Sequence, residues 1–316
     1  MATFNVSWQD IEQAHERVKP YIHRTPVLSS ESINTIVGAE LYFKCENFQK
    51  IGAFKARGGI NAVFSLPKEQ RSRGVVTHSS GNHAQAIALA AKMAGVPAYI
   101  VMPKTAPQVK IAAVEGYGAH ITLCEPTQAS REETSARIQK ETGAVFISPY
   151  NDFKVIEGQA TCAKELLEEL PELNTLITPV GGGGLLAGTA LTAHYLNEKV
   201  EVLAGEPEGA NDTYLSMQKG ELVRIDAPKS IADGLLATMG DKNFEIIRPL
   251  VKQILVVSDS EIIDAMRMIW ERMKIVIEPS CAVPFAAILK NKELFEGQKV
   301  GVILTGGNID LGKLPF

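Results

Sequence analysis

The sequence predicts an α/β fold in which mostly parallel strands are covered by helices on both faces. From Gly74 onward, short β-branched runs alternate with stretches of helical periodicity, and the alternation restarts near Ile156. Gly- or Ser-rich turns fall where each strand would hand over to a helix. Strands joined by helical crossovers run parallel, and the crossovers cover the sheet. Ligands of such folds sit at the carboxyl ends of strands, so chemistry is sought there.

In chain order, Ser7 caps a helix to about Lys19, with Asp10 placed for a capping box. Gly74–Thr77 reads as a strand, followed by a Ser/Gly turn and a helix over Asn82–Ala94. A strand over Pro97–Met102, a helix over Pro107–Tyr117 and a strand over His120–Leu123 follow. Arg131–Lys140 is a helix with Glu/Lys pairs at helical spacing. The second set comprises a helix from about Ile156 to Leu170, the strand Thr175–Val180, a glycine turn, the helix Leu185–Tyr195 and the strand Val200–Ala204. The strand Ile254–Val257, a helix boxed by Ser258 and Glu261, and the strand Lys299–Leu304 complete the pattern.

A chain of 316 residues suggests about two domains. Its 45% hydrophobic and 22% charged content is ordinary for a globular protein. No Pro/Ser linker separates two halves, so the domains are expected to interleave. The net charge of −4 gives neither a nucleic-acid footprint nor a polybasic anchor. Cys45, Cys124, Cys162 and Cys281 are far apart with no CxxC pair, which argues against disulfides and zinc. The amphipathic N-terminus lacks the apolar core of a signal peptide. The most apolar stretch, Ala84 to Met102, is broken by Lys92 and Pro97, so no membrane span is expected. A cytoplasmic location follows as the expectation.

Gly181-Gly182-Gly183-Gly184 follows an apolar strand and opens a helix at Leu185. Such a run brings several backbone N–H groups close to one anion, and the helix dipole adds positive potential. No Gly-Lys-Ser/Thr follows, so this is not a Walker loop. Gly182, Gly184 and Ala187 also satisfy G-x-G-x-x-A, with Glu206 roughly where a ribose-binding acid would fall. Taken alone, the segment leaves a single phosphate and a nicotinamide dinucleotide equally open.

Two further segments decide. Lys50-Ile51-Gly52-Ala53-Phe54-Lys55-Ala56-Arg57-Gly58 and Ser79-Ser80-Gly81-Asn82-His83 join the glycine loop and Thr305-Gly306-Gly307-Asn308 in one order along the chain. Together they resemble the signature of fold type II pyridoxal-phosphate enzymes, in the branch of serine racemases and serine/threonine dehydratases. The resemblance runs from about Val6 to Leu311. It implies two interleaved, open, twisted, mostly parallel sheets of the tryptophan synthase β-like kind. A large domain would comprise residues 1–72 and 150–316, and a small mobile domain residues 73–149.

The resemblance also assigns residues. Lys55 would form the Schiff base with the cofactor, Phe54 would wall its ring, and Asn82 would contact its ring hydroxyl. Gly181 to Gly184 and Leu185 would take the phosphate, and Thr305 the pyridine nitrogen. Ser79, Ser80, Gly81, Asn82 and His83 would receive the substrate carboxylate. Ser80 would handle the α-proton on the side opposite Lys55, as racemisation requires two acid/base groups. Arg131 would admit a second carboxylate, as in 3-hydroxyaspartate. Glu206, Asp212 and the Ala210 carbonyl would bind Mg²⁺, or Mn²⁺ or Ca²⁺, through oxygen ligands. Lys50, Gln85, Tyr117, Glu278 and Asn308 match a nucleotide pocket at a homodimer interface. Ile51 stands where animal enzymes carry threonine, which removes a polar contact for ATP. Tyr150 replaces an asparagine of vertebrate enzymes. The expected activity is racemisation of L-serine together with its conversion to pyruvate and ammonia, and of L-threonine to 2-oxobutanoate and ammonia. Hydroxyaspartate dehydration on the same scaffold is the near alternative, and a nicotinamide-dependent oxidoreductase the distant one.

Overall fold

The computed structural model describes residues 4–106 and 108–316, so the expected helix start at Pro107 lies outside the described residues. Among the described residues ten strands form two sheets: β1 Val27–Leu28, β2 Glu40–Cys45, β3 Val75–His78, β4 Ala98–Pro103, β5 His120–Cys124, β6 Val145–Phe146, β7 Thr175–Pro179, β8 Glu201–Pro207, β9 Gln253–Val257 and β10 Lys299–Leu304. The six-stranded sheet has the order β1-β2-β10-β7-β8-β9 and the four-stranded sheet β5-β4-β3-β6. Only β1 runs antiparallel to its neighbour. The two chain ends thus share one sheet, with β2 and β10 paired over their whole length.

The larger sheet is buried on both faces. Helices Asp259–Met273 and Pro279–Lys290 pack on one face around Phe285, Ile269 and Ile277. Helices Phe153–Glu169 and Gly184–Leu196 cover the other around Leu166, Leu186 and Leu191. Such a sheet needs near-continuous apolar strands, and Val300, Val302, Ile303 and Leu304 are all fully buried. The Ser7/Asp10 and Ser258/Glu261 capping boxes both form. Strand β8 runs three residues past its expected end, because Gly205, Glu206 and Pro207 stay in register with Leu255, Val256 and Val257.

Sequence periodicity gives no sign of the helix Lys55–Ser65, which packs against the helices Asn82–Ala94 and Phe153–Glu169. Its glycines allow very close approach. A Cβ on Gly58 would strike Gln159, and one on Gly158 would strike the Gly58 backbone. Where these helices meet, Arg57 is fully buried. Its Nε and Nη2 donate to Glu46 at 2.7 and 2.8 Å. Its Nη1 and Nη2 donate to Glu165 at 2.9 and 2.8 Å, and Nη1 also reaches Thr161 Oγ1 at 3.2 Å. Lys44 adds a second cation, donating to Glu165 at 2.8 Å and to the Thr25 carbonyl at 2.8 Å. The cluster balances two cations against two carboxylates, and all five guanidinium N–H donors are used.

Burial alone would raise the Glu165 carboxyl, but the hydrogen bonds and charges of Arg57 and Lys44 hold it down at about 2. Stability from this pairing is therefore present above the ordinary glutamate range and is lost as pH falls through it toward about 2. Arg57→Met leaves Glu46 buried without a cation and Glu165 with Lys44 alone. We expect it to cost roughly 3–5 kcal/mol in urea unfolding at neutral pH. A loss below about 1 kcal/mol, the usual worth of a surface pair, would contradict this reading of the cluster.

Candidate active site

The carboxyl ends of β3, β7 and β10 open onto one cleft of about 1210 Å³ between the sheets. Lys55 enters it from the first position of its helix. Its Nζ donates to the Pro149 carbonyl at 2.7 Å and lies 5.1 Å from the Phe54 ring centre. Among the described residues it has no carboxylate partner, and burial pulls its pKa down to about 8. The positive end of the helix dipole acts in the same direction. The main chain fixes the helix start, because Phe54 N donates to the Thr305 carbonyl at 3.0 Å. Thr305, at the end of β10, is itself a wall of the cleft.

Gly181, Gly182, Gly183 and Gly184 form the next wall, before the 13-residue helix Gly184–Leu196. A Cβ on Gly182 would land in the Tyr150 ring, and one on Gly183 would strike Met239. Gly183 also has a φ of 94°, a region that suits glycine. The loop therefore presents backbone alone to the cleft at a helix N-terminus, which is an anion cradle. Leu185 follows, packed with Phe54 and Ile303.

Ser79, Ser80, Gly81, Asn82 and His83 form the opposite stretch of wall, between β3 and the helix Asn82–Ala94. Ser80 is half-buried there. The Asn82 amide is committed at both ends, donating to Glu278 Oε1 and accepting from Asn308 Nδ2, each at 2.8 Å. Glu278 is a wall residue too, its carboxyl raised to about 7 by burial and then by Asp233. His83 is buried, with Nε2 3.4 Å from the Ile147 carbonyl. Burial, then the Lys55 charge, holds its imidazole well below the usual range, so it is neutral.

Arg131, which the sequence alone reads equally well as a solvated helix charge, lines the cleft from the helix Gln128–Thr142. Its Nε is buried without a hydrogen-bond partner among the described residues. At the mouth, Lys110 pairs with Asp233 at 2.5 Å.

Apart from Glu278, the remaining candidates lie outside the cleft lining. Of the five residues matched to a nucleotide, Glu278 and Asn308 converge on Asn82. Gln85 is buried, and Lys50 and Tyr117 are half-buried. Glu206 is fully buried inside β8, its two oxygens accepting the N–H groups of Thr213 and Tyr214 at 2.9 and 2.8 Å. That removes it from the exposed strand end where a ribose-binding acid must stand, and corrects the dinucleotide reading. Asp212 accepts from Met239 N at 2.8 Å, and Ala210 is buried beside it. Neither carboxylate has a cationic partner among the described residues, and no group of three or more His, Cys, Asp or Glu side chains gathers there. Sequence reasoning missed the Arg57 cluster, the place of Glu278 on the cleft wall, and the Tyr150 ring against the glycine loop. Lys44 within the apolar run of β2 was the available signal for the first.

Comparison with known proteins agrees with this geometry. The family described as "Pyridoxal-phosphate dependent enzyme" matches residues 18–306. A beta-hydroxyaspartate dehydratase of Paracoccus denitrificans is 52% identical over 310 residues, covering 98% of each chain. A serine racemase of Oryza sativa subsp. indica is 48% identical over 309 residues, covering 96% of this chain and 91% of its own. The solved structure of maize serine racemase superposes with a TM-score of 0.96 at 48% identity, over 98% of this chain and 95% of that one.

The Lys55 amine should titrate far below a surface lysine. Competitive acetylation of the apoprotein, read by peptide mass spectrometry, is expected to give half-maximal reactivity at Lys55 near pH 8. A midpoint near the ordinary lysine value of about 10.4 would contradict the desolvated setting.

Proposed function

The chain belongs to the pyridoxal-phosphate-dependent enzyme family, and on that premise we propose that it acts on L-serine as both racemase and lyase. The observation that carries the reading is the one cleft shared by the desolvated Lys55 amine, the Ser80 loop and the glycine cradle. The residues fit the cofactor: the loop has no room for a Cβ at Gly182 or Gly183 and so offers backbone alone, and the amine has no carboxylate partner among the described residues. Gly181 to Gly184 and Leu185 would take the phosphate, Phe54 the ring face, Asn82 the ring hydroxyl and Thr305 the ring nitrogen. When bound, pyridoxal phosphate supplies an electron sink for the pair released at the substrate Cα. The neutral Thr305 hydroxyl suits proton exchange and β-elimination better than transamination.

Ser79, Ser80, Gly81 and Asn82, with His83 beside them, receive the substrate carboxylate at a helix N-terminus. Lys55, with an ordinary share of neutral amine near pH 8, takes the Cα proton. In the racemase branch the Ser80 hydroxyl returns a proton on the other side, giving D-serine. In the lyase branch the β-hydroxyl departs, and the net reaction turns L-serine into pyruvate and ammonia. L-Threonine gives 2-oxobutanoate and ammonia in the same way. We read Mg²⁺ as held by Glu206, Asp212 and the Ala210 carbonyl, which would neutralise two buried carboxylates. The enzyme is taken to be a cytoplasmic homodimer, with residues 73–149 as its mobile part.

Arg131 favours a second substrate. An unpartnered buried guanidinium nitrogen on the cleft wall suits a further carboxylate, as in 3-hydroxyaspartate, whose lyase products are oxaloacetate and ammonia. The likeness to the Paracoccus dehydratase supports this.

Incubation of the holoenzyme with L-serine and Mg²⁺ is expected to yield D-serine and pyruvate together. Ser80→Ala should cut D-serine about a hundredfold or more while pyruvate persists. Pyruvate alone from the unaltered enzyme would make it a lyase only. Arg131→Met is expected to lower kcat/KM for L-threo-3-hydroxyaspartate roughly tenfold to a hundredfold, as for one charge-assisted hydrogen bond, with serine spared. Mg²⁺ should raise the Tm of the unaltered protein, and Asp212→Asn should abolish that rise.

A further inference from the structure

The glycine loop poses a physical problem that its own sequence does not solve. Four consecutive glycines give each peptide unit wide rotational freedom. An anion cradle works only if particular N–H groups stay turned toward the anion. Something outside the loop must fix them.

The Gly182 carbonyl accepts two hydrogen bonds from one neighbouring element. The Gly240 backbone N–H donates at 3.1 Å, and Asn243 Nδ2 at 2.6 Å. Gly240 is the N-cap of the helix Asp241–Leu250, and Asn243 lies in its first turn. A trans peptide is planar, so the C=O of Gly182 and the N–H of Gly183 point in opposite directions. Pinning the carbonyl against this helix turns the Gly183 N–H away from it, toward the cleft that Gly183 lines.

Asn243 suits that task. Its side chain is fully buried, and it is not among the residues lining the cleft. Nδ2 also donates to the Tyr150 carbonyl at 3.2 Å, so two carbonyl oxygens fix which end of the amide faces the loop. Its Oδ1 is buried with no partner among the described residues. An unpaired buried amide oxygen costs stability, and an apolar residue of similar size would avoid that cost. What such a residue could not provide is the donor on Gly182.

We propose that Asn243 is a positioning residue for the cofactor phosphate, locking the Gly182–Gly183 peptide so that its N–H faces the phosphate. It touches neither cofactor nor substrate. It acts through one peptide plane, with Gly240 N–H as the second pin. The inference rests on the family's cofactor binding in the cleft, and the unaltered protein's affinity for pyridoxal phosphate over pyridoxal checks that premise separately.

Pyridoxal has the same ring and aldehyde but no phosphate, so it reports on everything in the cleft except the cradle. The apoproteins of the unaltered chain, Asn243→Ala and Asn243→Asp are titrated with pyridoxal phosphate and with pyridoxal, following intrinsic fluorescence. Asn243→Asp keeps the shape and loses the donor, so it carries the test if the alanine variant does not unfold cooperatively. Affinity for pyridoxal phosphate is expected to fall about tenfold or more, while that for pyridoxal changes by less than about twofold. Equal weakening of both ligands would assign Asn243 a general packing role and overturn the proposal. Unchanged affinity for pyridoxal phosphate would overturn it as well.

Discussion

Two cations stand two residues apart on one helix and are treated in opposite ways. Arg57 is fully buried and meets Glu46 and Glu165, which push its titration further up. Lys55 lies half-buried against a carbonyl and an aromatic ring with no carboxylate beside it among the described residues, and desolvation brings its amine down to about 8. The difference is set by direction along a single helical turn. Arg57 faces the charged seam with the Phe153–Glu169 helix, where every donor finds an acceptor. Lys55 faces the cleft. Because the guanidinium is fastened to Glu46 after β2 and to Glu165 on that helix, the first turn has little freedom to rotate. The amine is thus delivered to a fixed place in its reactive, partly neutral state.

The rest of the site is organised around that fixed amine. Parallel strands bring their carboxyl ends to the same side of each sheet, so β3, β7 and β10 deliver three loops to one cleft. Each loop contributes chemistry that its position makes possible. The β3 loop places small hydroxyls at a helix start, the β7 loop places bare backbone at another, and β10 ends in a hydroxyl. The Pro149–Tyr150 segment joins them, since its carbonyls accept from Lys55 and Asn243 while its ring closes the back of the glycine loop. A sheet order that puts β10 between β2 and β7 explains how both chain ends can serve one site.

Much of this was legible in the sequence because the signals were local. Capping boxes, the apolar runs of β7 and β10, and the Asn82–Ala94 helix rest on neighbours within a few residues. The glycine run announces an anion wherever it sits. What escaped was set by distant partners. The Lys55 helix contains two glycines and a buried arginine, which weaken any helical pattern, and it is secured by Glu46 and Glu165 from other parts of the chain. Glu206 looked like a strand-end acid because the register that buries it depends on β9. Arg131 could be read as a surface charge or a ligand, since periodicity does not say which face of its helix a cleft will meet. Asn243 carries no motif, and its part emerges only from the peptide it touches.

The measurement that tests the account most directly is the site of covalent attachment. Borohydride reduction of the holoenzyme followed by peptide mass spectrometry is predicted to place a single pyridoxyl group on Lys55 and on no other lysine. A label on Lys50, Lys110 or any other amine, or none at all in protein that has bound the cofactor, would contradict it.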